Sequence, residues 1–309
     1  MKNKKHRIIN GFFILNKPRG CSSNQILQKI KNIFQAKKAG HTGSLDPIAT
    51  GMLPICLGEA TKFSQYLLNA NKHYQVLAKL GQTTNTSDSE GIVIKERLIK
   101  FNEKYLLDVL KSFTGKILQT PSMFSAIKKN GIPLYKYARK GVTIFRQPRL
   151  INIYKLRYIF WKKEFLKLEI HCSKGTYIRT LIEDIGEKLG CGAHVIMLHR
   201  IKISSIHHEM TSFDQLQKIY SFSEKNGIDK YHLIDRLIFP IEKLLIMFPE
   251  YNLLEKFTII LKNGKIIKYK KNSSYTGFIR ITEGKKKKFI GVGKINNKEE
   301  IIPIRLLNT

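Results

Sequence analysis

The sequence predicts an α+β protein that ends in a small β-rich domain. Three observations predict it. Stretches alternating in polarity at period two stand beside stretches with apolar residues at helical spacing. Clusters of Gly, Pro and small residues punctuate them. After about residue 250 the pattern changes to short strand-like pieces parted by Asn-Gly, Gly and Lys-rich turns, as in a small β-barrel or sandwich.

Along the chain, GFFILN (11–16) is a short apolar run, expected as a buried strand ended by Lys17-Pro18-Arg19-Gly20. A helix should follow, capped by Ser22 or Ser23, with Ile26, Leu27, Ile30, Ile33 and Phe34 on one stripe. Residues 36–58 are dense in Gly, Pro and small side chains and are expected as a loop held against the body, with a helix over 59–68. HYQVLAKL (73–80) alternates Tyr74, Val76, Ala78 and Leu80, which predicts a strand, and 81–91 follows as a polar turn. Asn102 should cap a helix closed by Gly115. Residues 121–149 lack a clear period and are expected as a mobile basic excursion with one short helix near 133–140. Strands at about 150–160 and 165–172, a helix over 176–190 with Ile178, Leu181, Ile182, Ile185 and Leu189 inward, and a strand over 195–201 complete the larger part. Beyond 250 the strand-like pieces are FTIILKNGKIIKYK, GFIRIT, KFIGVGKI and EIIPIRLL.

The bulk numbers narrow the function. The 309 residues are enough for one large domain and a small one. Mean hydropathy is −0.22, and no apolar run approaches the roughly 18 residues of a membrane span. The basic start MKNKKHRIIN has no secretory pattern. Cys21, Cys56, Cys172 and Cys191 form no C-x-x-C pair and have no His at zinc spacing, so they are expected as reduced thiols in a cytoplasm. With 55 Lys+Arg against 23 Asp+Glu, the net charge of +32 attracts polyanions. Abundant Lys, Ile, Asn, Phe and Tyr also suit an AT-rich genome, so charge alone divides evenly between nucleic-acid binding and compositional drift.

Few residues stand out for chemistry. Asp46 precedes Pro47, which disfavours helical geometry at the Asp, and Gly40 and Gly43 upstream allow a tight bend near a ligand. Taken alone, an Asp-Pro turn is more often simply solvated. Tyr74, Tyr177 and Arg179 mix aromatics with charge, as where bases stack and phosphates are neutralised. Each Tyr could equally be core, and Arg179 could pair with Glu183 one helical turn on. Lys174-Gly175 within SKGT lacks P-loop spacing, and Gly291-Val292-Gly293 is no dinucleotide fingerprint. His207-His208 has no partner at metal-ligand spacing, and Lys285 to Lys288 is expected as a solvated hairpin tip.

Five long stretches, in order, resemble the TruB family of tRNA pseudouridine synthases. They are ILNKPRGCSSNQIL (14–27), AGHTGSLDPIATGMLPICLGEATK (39–62), KHYQVLAKLGQTTNTSDSEG (72–91), PSMFSAIKKNGIPLYKYARKG (121–141) and HCSKGTYIRTLIEDIGEKLGCGAHV (171–195). Residues 288–295 and 302–307 are similar to the family's PUA-like RNA-binding domain. Asn16, Ser44 and His199 depart from the family's usual Asp, Ala and Arg.

The resemblance implies a mixed, mostly antiparallel sheet with helices as catalytic domain over 1–250, a thumb-like insertion over about 121–149, and the PUA-like domain over 251–309. It implies isomerisation of the uridine at position 55 of the tRNA T-loop, without metal or other cofactor. Asp46 matches the essential aspartate, Arg179 its arginine partner, and Tyr74 the tyrosine that packs on the flipped uracil and serves as base. Tyr177 matches a substrate-contacting tyrosine, His41 the histidine that fills the vacated stack, Leu198 an apolar pocket wall, and Lys62 an RNA contact. The implied partner is the T-arm stem-loop of tRNA, with a cytoplasmic monomer, no membrane and no obligatory protein partner. Two rival readings are a guide-RNA-dependent synthase and a tRNA-binding folding factor with an idle pocket.

Overall fold

The computed structural model describes residues 6–204, 206, 208–226, 229–268 and 275–307. The chain runs through β1 (Gly11–Lys17), α1 (Ser23–Phe34), β2 (Ala39–His41), β3 (Ala49–Leu57), α2 (Ser64–Leu68), β4 (Lys72–Leu80), β5 (Gln82–Thr84) and β6 (Val93–Glu96). Next come α3 (Glu103–Ser112), β7 (Gly115–Gln119), β8 (Lys128–Lys129), β9 (Ile132–Pro133), α4 (Leu134–Ala138), β10 (Arg149–Lys162) and β11 (Phe165–Cys172). Then follow α5 (Ile178–Lys188), β12 (Ala193–Ile203), β13 (Thr211–Ser212), α6 (Phe213–Lys225) and α7 (Lys230–Asp235). The C-terminal part holds β14 (Glu250–Leu253), α8 (Glu255–Lys262), β15 (Ile267–Lys268), β16 (Gly277–Glu283), β17 (Lys288–Ile295) and β18 (Glu300–Leu306). Among the described residues no helix is long and apolar enough to cross a membrane.

A nine-stranded sheet, ordered β13-β1-β3-β12-β4-β11-β10-β7 with β2 against β3, carries the larger part. Only the β1–β13 and β3–β12 pairs are parallel, so the sheet is mixed and mostly antiparallel, as expected. Period two decides its two faces. Phe13 and Leu15 of β1 join the core under α1, α3 and α5, while Phe12 and Ile14 join a second cluster on the other face. Helix α1 starts where the sequence places it. The Ser22 hydroxyl accepts from the Gln25 N–H and the Gln25 side chain accepts from the Ser22 N–H, a reciprocal capping box worth about 1 kcal/mol.

Several expectations fail, two of them outright. Residues 49–57 are not loop but the central strand β3, buried nearly throughout between β1 and β12. A strand covered on both faces shows a continuous apolar run rather than alternation, and its Gly and Pro disguised it. FTIILK is not a strand but most of α8, whose Thr258 and Leu261 turn inward three residues apart. The last two residues of that piece, 269 and 270, lie outside the described residues.

The second sheet, β14-β16-β17-β18-β15, has its own core of Tyr251, Leu261, Ile279, Ile281, Ile290 and Ile301. Phe289 and Val292 of β17 instead pack into the second cluster of the large sheet, so the two sheets share an apolar contact. Lys285–Lys287 form the turn between β16 and β17, the expected exposed hairpin tip.

Candidate active site

The site grows from the loop between β2 and β3. Two side chains anchor the stretch around Asp46. Ser23, in the first turn of α1, accepts from the Leu45 N–H at 2.7 Å and donates to the Leu45 carbonyl at 3.0 Å. Lys17, fully buried at the end of β1, donates to the carbonyls of Pro18 and Ala49 at 2.8 Å and of Pro47 at 3.4 Å. Burial pulls the Lys17 ammonium below its ordinary value, partly opposed by the nearby carboxylate of Asp46. Between these anchors Asp46 projects with its side chain 40% exposed.

Arg179, in the first turn of α5, meets it. Its Nε lies 2.9 Å from Asp46 Oδ2, and the arginine side chain is only 7% exposed. The rest of the guanidinium is occupied. Nη1 donates to the Thr86 carbonyl at 2.9 Å and to Asp88 Oδ2 at 3.2 Å, and Nη2 donates to the Phe124 carbonyl at 2.8 Å. Asp88, itself buried, accepts at Oδ1 from the Thr86 hydroxyl at 2.7 Å and the Glu90 N–H at 3.1 Å. Five fixed donors suit a planar cation to this task, which a lysine could not copy. Glu183, the local alternative for Arg179, instead accepts from Ser87 at 2.6 Å.

Asp46 and Arg179 open into a cleft of about 760 Å³ whose walls include Asn24 of α1, His41, Glu90, and Tyr135 and Arg139 of the 121–149 excursion. Burial raises the Glu90 carboxyl, followed by repulsion from Asp88. His41 is held below the ordinary imidazole value by burial and then by Arg200, and its Nδ1 is buried with no hydrogen-bond partner.

The other residues singled out from sequence stand at different depths. Tyr74 lies behind the loop on the core side of β4, where burial raises its phenol and Arg200 opposes that rise. Leu198 of β12 is 4% exposed and in register with Ala49 and Val76, deep between β3 and β4. Tyr177 precedes α5, its backbone clamped by Gln119 through bonds of 2.8 and 3.1 Å. Burial raises its phenol, and Asp46 is among the charges it senses. Lys62 does not join the cleft walls; it sits in a 3-10 turn over Gly58–Phe63 and pairs with Glu59 at 2.5 Å. His199 bonds Thr50 at 2.8 Å, and His207 of the histidine pair lies outside the described residues.

Sequence reasoning missed Asp88, Lys17 and Arg200. Asp88 sat inside a stretch expected as a polar turn, yet Thr83, Thr84, Ser87 and Asp88 are all buried. The available signal was two acids flanked by Thr and Ser, hydroxyls able to satisfy a buried carboxylate. The arrangement is one carboxylate held by a buried arginine at the mouth of a cleft, able to act as nucleophile or base on a molecule entering from the side of Tyr135 and Arg139.

Comparison with known proteins agrees along the chain. Residues 31–178 match the TruB family pseudouridylate synthase N-terminal domain, 179–246 the tRNA pseudouridylate synthase B C-terminal domain, and 249–307 the pseudouridine synthase II TruB C-terminal domain. A protein of Cronobacter sakazakii called tRNA pseudouridine synthase B is 48% identical over 305 residues, covering 98% of this chain and 97% of its own. One of the same name from Photorhabdus laumondii is 47% identical over 308 residues, covering 99% and 98%. Among solved structures, a chain of a Cbf5-Nop10-Gar1 complex superposes with a TM-score of 0.73 at 25% identity, covering 97% of this chain and 85% of its own.

Proposed function

This chain belongs to the TruB family of pseudouridylate synthases, and from that premise we propose that it isomerises uridine 55 in the T-loop of tRNA to pseudouridine. The observation that carries the proposal is the Asp46 carboxylate, exposed to the cleft and held from behind by Arg179 at 2.9 Å. A uridine within a folded loop must leave its stack before C1′ or C5 can be reached, at a cost of a few kcal/mol. Stacking on Tyr74 and filling of the vacated space by His41 offset that cost. Asp46 acts as the catalytic carboxylate, held in place by Arg179. Tyr74 takes the C5 proton after the ring has turned, Leu198 walls the uracil, Tyr177 contacts the nucleoside, and Lys62 meets RNA from outside the cleft. The reaction breaks N1–C1′ and forms C5–C1′ with no change of oxidation state, so it demands no redox cofactor.

The proposed organisation is a catalytic domain over 1–250, with 121–149 closing on the T-arm, and a PUA-like RNA-binding domain over 251–309. The enzyme works as a cytoplasmic monomer on tRNA alone. A guide-RNA-dependent synthase is disfavoured by the segment that supplies Tyr135 and Arg139 to the cleft, since a stand-alone enzyme must clamp its own substrate. A non-catalytic folding factor would need neither Asp46 nor its arginine clamp.

The test is conversion of an unmodified T-arm stem-loop, mapped by carbodiimide-primer extension, with wild type and Asp46→Asn in parallel. One pseudouridine at the T-loop uridine, lost in Asp46→Asn with binding retained, supports the proposal. Binding by both proteins without conversion by either would favour a guide RNA or a folding role.

A further inference from the structure

Arg200 is 1% exposed and among the largest fully buried side chains of the protein. It stands on β12 directly opposite Tyr74 of β4 on one side and Gly51 of β3 on the other. Its guanidinium spends its donors on main-chain oxygens: Nε on the Met52 carbonyl at 2.7 Å, Nη2 on the Gly43 carbonyl at 3.0 Å and Nη1 towards the Ser44 carbonyl at 3.5 Å. Tyr74 is its cross-strand neighbour on β4, and the phenol lies close enough to sense the guanidinium charge. Among the described residues no carboxylate lies in ion-pair contact with it. A buried cation lacking a contact partner costs several kcal/mol, and an apolar residue of similar volume would suit stability as well or better. Its placement therefore points to chemistry, because two of the oxygens it gathers belong to the loop that carries Asp46, and the tyrosine behind that loop is its cross-strand neighbour.

We propose that Arg200 is a positioning residue for isomerisation: it holds the Gly43–Ser44 turn that leads to Asp46 and sets its cation beside the Tyr74 phenol that accepts the C5 proton. The inference rests on the reading of Tyr74 as that base. In the step concerned the C5–H bond breaks, the proton passes to Tyr74 Oη, and the freed pair closes C5=C6. The C6=N1 pair returns to N1, which takes up a proton, so the sum is an isomerisation. Three elements face the phenol. Arg200 comes from β12, Cys172 from β11 and Asp46 from the β2–β3 loop; of these only Arg200 is cationic and favours ionisation. Lys17, His41 and Lys72 in turn sense the Arg200 charge, which places the guanidinium at the electrostatic centre of the site.

The experiment is a double-mutant cycle on the T-arm stem-loop at saturating enzyme, comparing wild type, Tyr74→Phe, Arg200→Gln and the double variant, with Arg200→Lys alongside. RNA affinity and Tm are measured for each. General-base help of this kind is worth on the order of 10²-fold or more, so Arg200→Gln should slow isomerisation by roughly that factor with RNA binding retained. The limb of the pH–rate profile that rises with phenol ionisation should move to higher pH. In the Tyr74→Phe background the same substitution should cost less than about threefold, and Arg200→Lys should restore part of the rate by keeping the charge. Losses that multiply fully, or a limb that does not move, would overturn the inference while leaving the Tyr74 assignment standing. A Tyr74→Phe enzyme at wild-type rate overturns that assignment and the inference with it. Should Arg200→Gln fail to fold, Arg200→Met, uncharged and apolar, carries the same cycle.

Discussion

Gly51→Ala isolates the contact on which the central sheet depends. Gly51 has φ +101°, and a Cβ there would come 2.3 Å from the Arg200 carbonyl oxygen, 2.8 Å from its nitrogen and 3.0 Å from its carbonyl carbon. All three atoms are backbone, so no rotamer change relieves the clash. The left-handed φ adds about 1–3 kcal/mol for any residue with a Cβ. Prising β3 from β12 loosens one or two hydrogen bonds of a pairing only three residues long, at about 1 kcal/mol each. The sum is about 2–5 kcal/mol, which at roughly 1.5 °C per kcal/mol for a chain of this size lowers Tm by about 3–8 °C. Urea and thermal unfolding followed by circular dichroism measure it. Turnover should fall as well, because the displaced strand carries Leu198 and Arg200. A Gly51→Ala protein melting within about 2 °C of wild type would refute the close approach as the reason for this glycine.

Three further predictions follow from the same geometry. Asp88→Asn keeps an acceptor for Thr86 and Glu90 but turns an NH2 towards Arg179, so turnover should drop about 10–100-fold with RNA affinity held within about threefold; unchanged turnover would show that Asp46 alone orients Arg179. Lys72 is buried with its ammonium on the carbonyls of Leu67, Leu68 and Ala70, and burial lowers its pKa from 10.5 to about 8. Because the folded value lies below the unfolded one, the unfolded chain binds more protons between pH 8 and 10.5, and stability rises through that window by about 1.4 kcal/mol per unit. Lys72→Met should lack this rise, so urea midpoints of the two proteins that run parallel between pH 7.5 and 10 would contradict it. Affinity for the T-arm should weaken by orders of magnitude as salt climbs from 50 to 200 mM if the +32 charge meets phosphates, whereas a flat titration would mark the excess lysine as compositional drift.

The parts legible in the sequence are those encoded within one element. Ser22 and Gln25 write the start of α1 in four residues, the alternation of Tyr74, Val76, Ala78 and Leu80 writes β4, and the stripe of α5 gives its inward face. The motif around Asp46 carried the family resemblance, and with it the expected pairing to Arg179, which the fold brings to 2.9 Å across 133 residues of chain. Asp88 and Arg200 could not be found this way. A charged residue in a strand or turn gives no local mark of being buried, because burial is set by what packs on it from elsewhere. Arg200 comes to stand between Tyr74 and Gly51 only when β12 inserts between β3 and β4, elements encoded some 120 to 150 residues earlier. The same long-range packing made a strand of 49–57, whose Gly and Pro speak locally for a loop, because burial on both faces outweighs local propensity. Sequence alone determined the elements whose pattern is local and singled out Asp46, while tertiary structure decided which charges lost their water and surround it.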